Sequence, residues 1–280
     1  MANIRPPAVA GSFYPSAADE LDSVLEDCFL THRLGPRGIS SVRPNLFAGI
    51  VPHAGYLYSG ACAAHFYSCL DSKNLDRVVL LGVNHRSHGH KAALSPWDGW
   101  QTPLGKIPVD RALGESLAKL VGWLAYDERP HVSEHSIEVQ LPFLQRTLGE
   151  FAFLPISLAH ISLADCAALG QAIAQVLQRE KNCKTVILAS SDLNHYLSPQ
   201  ETHRRDELAI AQTLALDPAG LLDVVVKNDI TMCGVLPSVA MLYAATALGA
   251  RQAALLKHCH SGDVKPIQQV VGYASIAVES

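Results

Sequence analysis

Short runs of β-branched and aliphatic residues alternate with longer segments of helical periodicity along the first two thirds of the chain. Four such runs predict buried strands, because they are too short and too branched for helices: residues 47–51, 77–83, 151–158 and 184–189. Helical patterns lie between or beside them at 61–70, 111–121, 135–148 and 163–179. Repeated strand–helix–strand order predicts an α/β fold, with a mainly parallel or mixed central sheet and helices on both faces.

The remainder of the chain is richer in helical patterns. Helices are predicted at 199–216, 218–227 and 233–248, and two further strands at 253–259 and 270–278. Ser162 and Asp165 form a capping box at the start of helix 163–179, and the Gly, Pro and Ser content of residues 33–45 predicts a loop. Because no repeat, low-complexity segment or linker divides the chain, residues 1–280 are expected to form a single α/β domain.

Charge, apolar segments and cysteine content argue against nucleic-acid binding, a membrane span and secretion. The net charge of -4 is mild and the basic residues are scattered, so nucleic acid is not expected as a partner. The uncharged stretch 230–250 contains Thr231, Pro237 and Ser238, which favours a buried helix over a membrane span. The first fifteen residues lack the apolar core of a secretory signal. Seven cysteines without a CxxC pair fit free thiols, so a cytoplasmic location is expected.

Polar residues that directly follow the predicted strands are the candidate functional residues. His53 follows strand 47–51, His85 follows strand 77–83, and Asp192 and His195 follow strand 184–189. Ligands of open parallel sheets lie beyond the carboxyl ends of the strands, so these side chains are expected at one edge of the sheet. Neutral imidazole is a common ligand for divalent transition metals, which makes His53 and His85 candidate metal ligands.

Two residues are candidates for an anionic ligand beside the imidazoles. Asp192 lies at a strand end, whereas Cys233 lies where a helix is predicted to begin, and a helix N-terminus lowers the pKa of a thiol. The alternative for Cys233 is a small buried side chain in the core.

Other polar residues are weighed against simpler explanations. Cys62, His65 and Cys69 share one face of a predicted helix and are expected to pack in the core. Glu134 and Glu138 either complement a helix dipole or orient a substrate or a histidine. His88 and His90 share a loop with His85, so one of them is either a ligand or solvated surface. His258 and His260 are expected on one face of a strand, a geometry that can bind metal but more often has no function.

Six segments together resemble the Memo family, known in bacteria and archaea as protein B of the AmmeMemoRadiSam system. They are AGSFYP (10–15), VPHAGYLYSGACAAH (51–65), LLGVNHRSHG (80–89), EHSIEVQLPFL (134–144), SSDLNHY (190–196) and MCGVLP (232–237). These segments cover nearly the whole chain in order, which makes the assignment specific.

The resemblance implies a fold similar to that of the class III extradiol dioxygenases and a metal site at His53, His85 and Cys233. It implies iron or copper as the metal, with zinc as a further candidate. His195 matches the histidine that acts as acid and base in those enzymes, and Asp192 is expected to hold its ring. A thiolate replaces the carboxylate ligand of the dioxygenases, and such a softer donor changes the preferred metal and its potential.

Two functions follow as hypotheses. In the first, the chain is an oxidoreductase in which the metal acts on O₂ or a reduced oxygen species, with an unidentified small substrate in a pocket that includes Glu134, His135 and Tyr56. In the second, it is a non-catalytic protein that binds metal, a peptide or a partner protein of the AmmeMemoRadiSam system. The sequence leaves open whether there is turnover.

Overall fold

The computed structural model of the chain describes residues 2–38, 42–73, 75–180 and 183–280. The strands are β1 (Ile4–Arg5), β2 (Leu46–Val51), β3 (Arg77–Val83), β4 (Ala92–Leu94), β5 (Gly99–Thr102), β6 (Gly105–Pro108), β7 (Ala125–Tyr126), β8 (Ala152–Leu158), β9 (Thr185–Ser190), β10 (His195–Leu197), β11 (Gln252–His260) and β12 (Val270–Glu279). The α-helices are α1 (Ala18–Leu30), α2 (Tyr56–Tyr67), α3 (Arg111–Leu120), α4 (Leu141–Leu148), α5 (Leu163–Arg179), α6 (Pro199–Leu214), α7 (Pro218–Lys227), α8 (Val235–Ala247) and α9 (Ser261–Val264). A 3-10 helix at Glu138–Gln140 precedes α4 directly.

The main sheet is mixed, with a parallel centre. Strands β2, β9, β3 and β8 are neighbours in this order and run parallel. Antiparallel strands flank this centre, with β12 beside β2 and β4 beside β8. On the outer side, β12 pairs with both β10 and β11, and β4 pairs with β7. A smaller sheet joins β1, β5 and β6. The predicted α/β class with a parallel or mixed sheet is therefore confirmed.

Both faces of the main sheet are buried. Side chains alternate across a strand, so Val79 and Leu81 of β3 join a core with α3, α5 and α8, whereas Val78 and Leu80 join a second core with α1, α2 and α4. Strands covered on both faces are apolar throughout, which explains why their runs are continuous in the sequence. Helices on both faces are confirmed.

The longest predicted elements match the structure within a few residues. The helices predicted at 163–179 and 218–227 and the strand at 77–83 have the predicted bounds, and the capping box at Ser162 and Asp165 is present. The helix predicted at 61–70 spans Tyr56–Tyr67 in the structure, so it begins and ends earlier than predicted. The predicted helix 135–148 is wrong at its start, since residues before Glu138 form turns and α4 begins only at Leu141.

The elements that were not predicted are the 13-residue helix α1 and the short elements α9, β1, β4, β5, β6, β7 and β10. Within the predicted loop 33–45, residues 39–41 lie outside the described residues. Across the part of the chain that the structure describes, no helix combines the length and apolarity needed to cross a bilayer.

Candidate metal centre

The carboxyl ends of three parallel strands meet at one edge of the sheet. β9 lies between β2 and β3, and Ser190 of β9 is in register with Val51 of β2. The chain continues from β2 to His53, from β3 to His85 and from β9 to Asp192. The ring centroids of His53 and His85 are 5.2 Å apart. The expectation that these residues converge at one sheet edge is therefore met.

His135 completes a group of three imidazoles. One ring nitrogen each from His53, His85 and His135 can be chosen so that all three atoms lie within 4.8 Å of one another. The rings of His85 and His135 stack with centroids 4.6 Å apart, and the ring of His53 stands perpendicular to both. His135 was predicted as a substrate-pocket residue; it lines the cavity described below, and its ring is also among those that could hold a metal.

The buried ring of His53 is held in one tautomer by Ser190. The Ser190 hydroxyl donates to the carbonyl of Ser136 at 2.6 Å, so towards His53 Nδ1, 3.0 Å away, it can only accept. Gln140 Nε2 donates to the same hydroxyl at 2.8 Å. Nδ1 of His53 therefore carries the proton, and Nε2 has a free lone pair.

One carboxylate holds the other two rings. Glu134 Oε1 lies 2.9 Å from His85 Nδ1 and 3.2 Å from His135 Nδ1, and it also accepts the Ser136 N–H. Burial raises the pKa of Glu134, but the hydrogen bond from His85 and the nearby imidazoles outweigh it and lower this pKa to about 2. A carboxylate that binds Nδ1 leaves Nε2 for a metal, so Glu134 orients two rings rather than lining the substrate pocket.

The rings of His53 and His135 are neutral near pH 7. Burial lowers the pKa of His53 well below its usual value, and the neighbouring His135 and His85 lower it further. Burial likewise lowers the pKa of His135 to about 4, even though Glu134 acts in the opposite direction. Because a metal binds the neutral ring, these shifts prepare the nitrogens for coordination.

Cys233 lies directly against the group. Its Sγ is 3.1 Å from Nε2 of His53, the nitrogen with the free lone pair, and 3.7 Å from the carbonyl of Asp192. α8 begins at Val235, two residues later than the predicted helix start. The expected lowering of the thiol pKa by a helix N-terminus is therefore not found: burial and Asp192 raise it. A cation beside the sulfur would be needed to form the thiolate.

Asp192 supports the loop of His53 rather than the ring of His195. Its Oδ1 accepts the His53 N–H at 2.7 Å. Burial raises the pKa of Asp192 to about 7, against the lowering effect of the N–H groups of His53 and Ala54. The partner of His195 Nδ1 is the carbonyl of Thr231 at 2.9 Å, so the predicted hold of Asp192 on His195 is wrong.

A cavity of about 530 Å³ opens beside these residues. Its lining brings together His53, His85, His135, Asp192, His195 and Cys233 with Phe13, Ala54, Gly55, Tyr196, Thr231 and Val271. Two predicted pocket residues are not in this lining: Glu134 is buried behind the imidazoles, and the Tyr56 hydroxyl donates to the carbonyl of Val139 at 2.7 Å.

Apart from Glu134, several of the residues weighed against simpler explanations have structural roles outside the centre. Cys62 and Cys69 are buried in the cores, as expected. His258 pairs with Asp206, and His260 caps α9. Glu138 is fully buried against Arg5 and does not reach the cavity.

Several residues that contact or position the histidines were not predicted from the sequence, chiefly Ser190, Ser136, Gln140, Thr231 and Phe13. A polar residue at the end of an apolar strand was an available signal for Ser190. Thr231 offered none, because its role depends on where its carbonyl lies in the fold.

Comparison with known proteins identifies the family of the chain. The model of the Memo-like protein family matches residues 5–277. A MEMO1 family protein of Methanopyrus kandleri is 41% identical over 278 residues, which cover 97% of this chain and 98% of that one. Another, from Pyrobaculum aerophilum, is 40% identical and covers 98% of both chains.

A solved structure shares the fold at low sequence identity. It is that of an uncharacterized protein from Escherichia coli K12, with a TM-score of 0.54 and 13% identity, covering 83% of this chain and 99% of that chain. On the family match over nearly its whole length and on these relatives, the chain belongs to the Memo-like protein family.

Proposed function

We propose that this protein holds one iron or copper ion at the centre of His53, His85, His135 and Cys233 and is an oxidoreductase acting on a small substrate. The observation that carries the proposal is the convergence of three imidazole nitrogens within 4.8 Å. Nδ1 of His53 hydrogen-bonds to Ser190 and Nδ1 of His85 to Glu134, and Nδ1 of His135 lies 3.2 Å from the same carboxylate. Such hydrogen bonds are the usual support of metal-bound histidines.

The donor set fits a borderline or soft transition metal. Imidazole nitrogen suits iron, copper and zinc, and thiolate sulfur disfavours hard ions such as magnesium. A bound iron or copper ion would supply one-electron chemistry towards O₂ or a reduced oxygen species, which zinc does not.

The protein's own residues supply a site for a substrate and a proton. The cavity of about 530 Å³ is within the size range of small-molecule sites. His195 lines it, and its Nδ1 donates to the Thr231 carbonyl, so Nε2 is free to take a proton from a substrate. Burial lowers the pKa of His195, which keeps the ring neutral and able to act as a base. The seven free cysteines fit a reducing compartment, and we propose the cytosol.

Metal affinity of variants purified without oxygen tests the centre. We expect Fe(II) or Cu(I) to bind wild type tightly and to bind Cys233→Ser and His135→Gln much more weakly, because each variant removes a donor atom. Glu134→Gln keeps all donors and is expected to lose about 10–100-fold, as for other residues that orient a ligand. The matched control is His88→Gln, an exposed histidine in the loop that follows His85.

Equal affinity in wild type and all four variants would place the metal elsewhere and overturn the proposal. If only Cys233→Ser keeps the wild-type affinity, the thiol is not a ligand and the three imidazoles hold the metal. Oxygen consumption by the metal-loaded protein with reductants and catechols then tests turnover. Tight metal binding without consumption would favour the non-catalytic hypothesis.

A further inference from the structure

A continuous set of hydrogen bonds connects the edge strand β11 with His195 in the cavity. Nε2 of His258 lies 2.9 Å from Oδ2 of Asp206, and Oδ1 of Asp206 accepts the Asn194 N–H at 2.9 Å. Oδ1 of Asn194 accepts both the N–H and the hydroxyl of Thr231, each at 3.3 Å. Thr231 in turn binds His195: its Oγ1 accepts the His195 N–H at 2.7 Å, its carbonyl accepts from Nδ1 at 2.9 Å, and its hydroxyl lies 3.5 Å from the His195 carbonyl.

The carboxylate in this set is enclosed. The Asp206 side chain is fully buried, and it extends from α6 onto the backbone of β12 at Gly272. A Cβ at position 272 would lie 1.9 Å from Oδ2 of Asp206, so only glycine leaves room for the carboxylate there. A buried carboxylate needs a compensating partner, and His258 supplies it. The pair is therefore built into the fold behind the loop of Asn194 and His195.

The contact with Thr231 determines which tautomer the His195 ring adopts. A backbone carbonyl can only accept a hydrogen bond, so Nδ1 of His195 must carry the proton. Nε2 then has a free lone pair beside the cavity that His195 lines. This state requires the Thr231 carbonyl to stay in place, and Asn194 is the residue that binds Thr231 from the side of Asp206.

We propose that Asp206 and His258 are positioning residues that hold His195 in its Nδ1–H tautomer through Asn194 and Thr231. This proposal depends on the proposed function in one respect, namely that His195 acts on a substrate in the cavity. The hydrogen bonds themselves join protein groups only. A failure of metal binding or turnover therefore leaves the positioning proposal intact, and the reverse also holds.

The test is the tautomer of His195, read from two-bond ¹H–¹⁵N spectra of chelator-treated protein labelled with ¹⁵N-histidine. His195 is assigned by the signal that His195→Gln removes. We expect the single Nδ1–H tautomer in wild type and its loss in His258→Ala. His258→Gln, which keeps an N–H donor towards Asp206, is expected to restore it. His260→Ala on the same strand is the matched control, because His260 binds Asp263 and takes no part in the connection.

Folding is monitored by the His53 signal, whose tautomer is set separately by Ser190. If His258→Ala does not fold, His258→Met replaces it, since methionine fills the space without a donor. An unchanged Nδ1–H tautomer in a folded variant without the donor overturns the proposal. The proposal is also overturned if Thr231→Val changes the tautomer but His258→Ala and His258→Met do not. In that case Thr231 would set the tautomer of His195 without help from His258.

Discussion

At the scale of single residues, hydrogen bonding selects the ring nitrogen that each histidine presents. Ser190 binds Nδ1 of His53, Glu134 binds Nδ1 of His85, and Thr231 binds Nδ1 of His195. The acceptors differ in kind, yet each leaves Nε2 as the nitrogen that can bind a metal or a proton.

His131 differs from these three histidines, because its imidazole is fully buried and does not line the cavity. Its ring lies between Trp97 and Trp100, with centroids 6.5 and 5.7 Å away. Burial first, and the nearby Arg5 second, lower the pKa of His131 from 6.5 to about 3. The folded protein therefore holds this ring neutral at a pH where the unfolded chain protonates it.

Stability is consequently expected to fall as the pH drops below 6.5, because the unfolded state binds the extra proton. We expect His131 to contribute up to about 1.4 kcal/mol of lost stability per pH unit between pH 6 and 4. His131→Gln cannot titrate, so the free energy of unfolding should fall less steeply in this variant. Denaturant titrations of chelator-treated protein from pH 7 to 4 measure the difference. Parallel pH curves for the two proteins would contradict the burial argument.

The sequence predicted which strand-end residues meet, but not their hydrogen-bond partners. His53, His85 and Asp192 follow apolar runs, and strand order alone takes them to one edge. Asp192 was assigned to His195 because the two are close in sequence. In the fold, the nearest acceptor to the His195 ring comes from Thr231, which is 36 residues away. Local spacing carries no information on such a contact.

At the scale of elements, the segment before α4 explains both a wrong helix start and the arrangement of the centre. Ser136 hydrogen-bonds to both backbone groups of Val83 at the end of β3. Glu138 accepts the N–H groups of Ala8 and Val9 and pairs with the buried Arg5 at 2.6 Å. In the structure the segment forms turns, the 3-10 helix Glu138–Gln140 and then α4, although its polar pattern resembles a first helical turn.

β3 and α5 were predictable for a physical reason that the shortest strands lack, although the 13-residue helix α1 was missed. β3 and α5 carry enough apolar positions for their periodicity to be read. β1 and β7 contain two residues each, and their pairing partners β5 and β4 determine that they are strands. Tertiary pairing of this kind leaves no periodic pattern in the sequence.

Gly82 of β3 allows the segment of Glu134 and His135 to pack close to His85. A Cβ at position 82 would lie 2.3 Å from Cγ1 of Ile137 and 2.9 Å from Oγ of Ser136. We expect Gly82→Ala to lower the free energy of unfolding by about 1–3 kcal/mol, the usual cost of overpacking. Metal affinity should fall as well, because displacing this segment moves Glu134 and His135 together.

Gly122→Ala is the matched control, since a Cβ there meets no heavy atom within 4 Å among the described residues. Its effect on the free energy of unfolding should stay within about 0.5 kcal/mol, as for most surface substitutions. Denaturant unfolding and metal titration measure both variants. Wild-type metal affinity in Gly82→Ala would show that the position of this segment does not control the centre.

At the scale of the whole molecule, the candidate donors come from four distant parts of the chain. His53 follows β2, His85 follows β3, His135 precedes the 3-10 helix, and Cys233 precedes α8. The unfolded chain does not hold these groups together, so a metal that binds all of them binds mainly the folded state. Binding of this kind raises stability through mass action.

Metal should therefore raise the free energy of unfolding of chelator-treated protein by about 2.7 kcal/mol at a free concentration a hundredfold above the dissociation constant. Zn²⁺ is a suitable probe, because it takes nitrogen and sulfur donors and does not undergo redox reactions during the measurement. Mg²⁺ should give no such rise, since the site offers it no set of oxygen donors. His85→Gln should lose most of the zinc effect, whereas His90→Gln in the same exposed loop should retain it. Chemical unfolding with and without each ion measures the four cases. A zinc effect of equal size in His85→Gln would mean that the ion stabilises the fold from another site, because a ligand stabilises only through the groups that bind it.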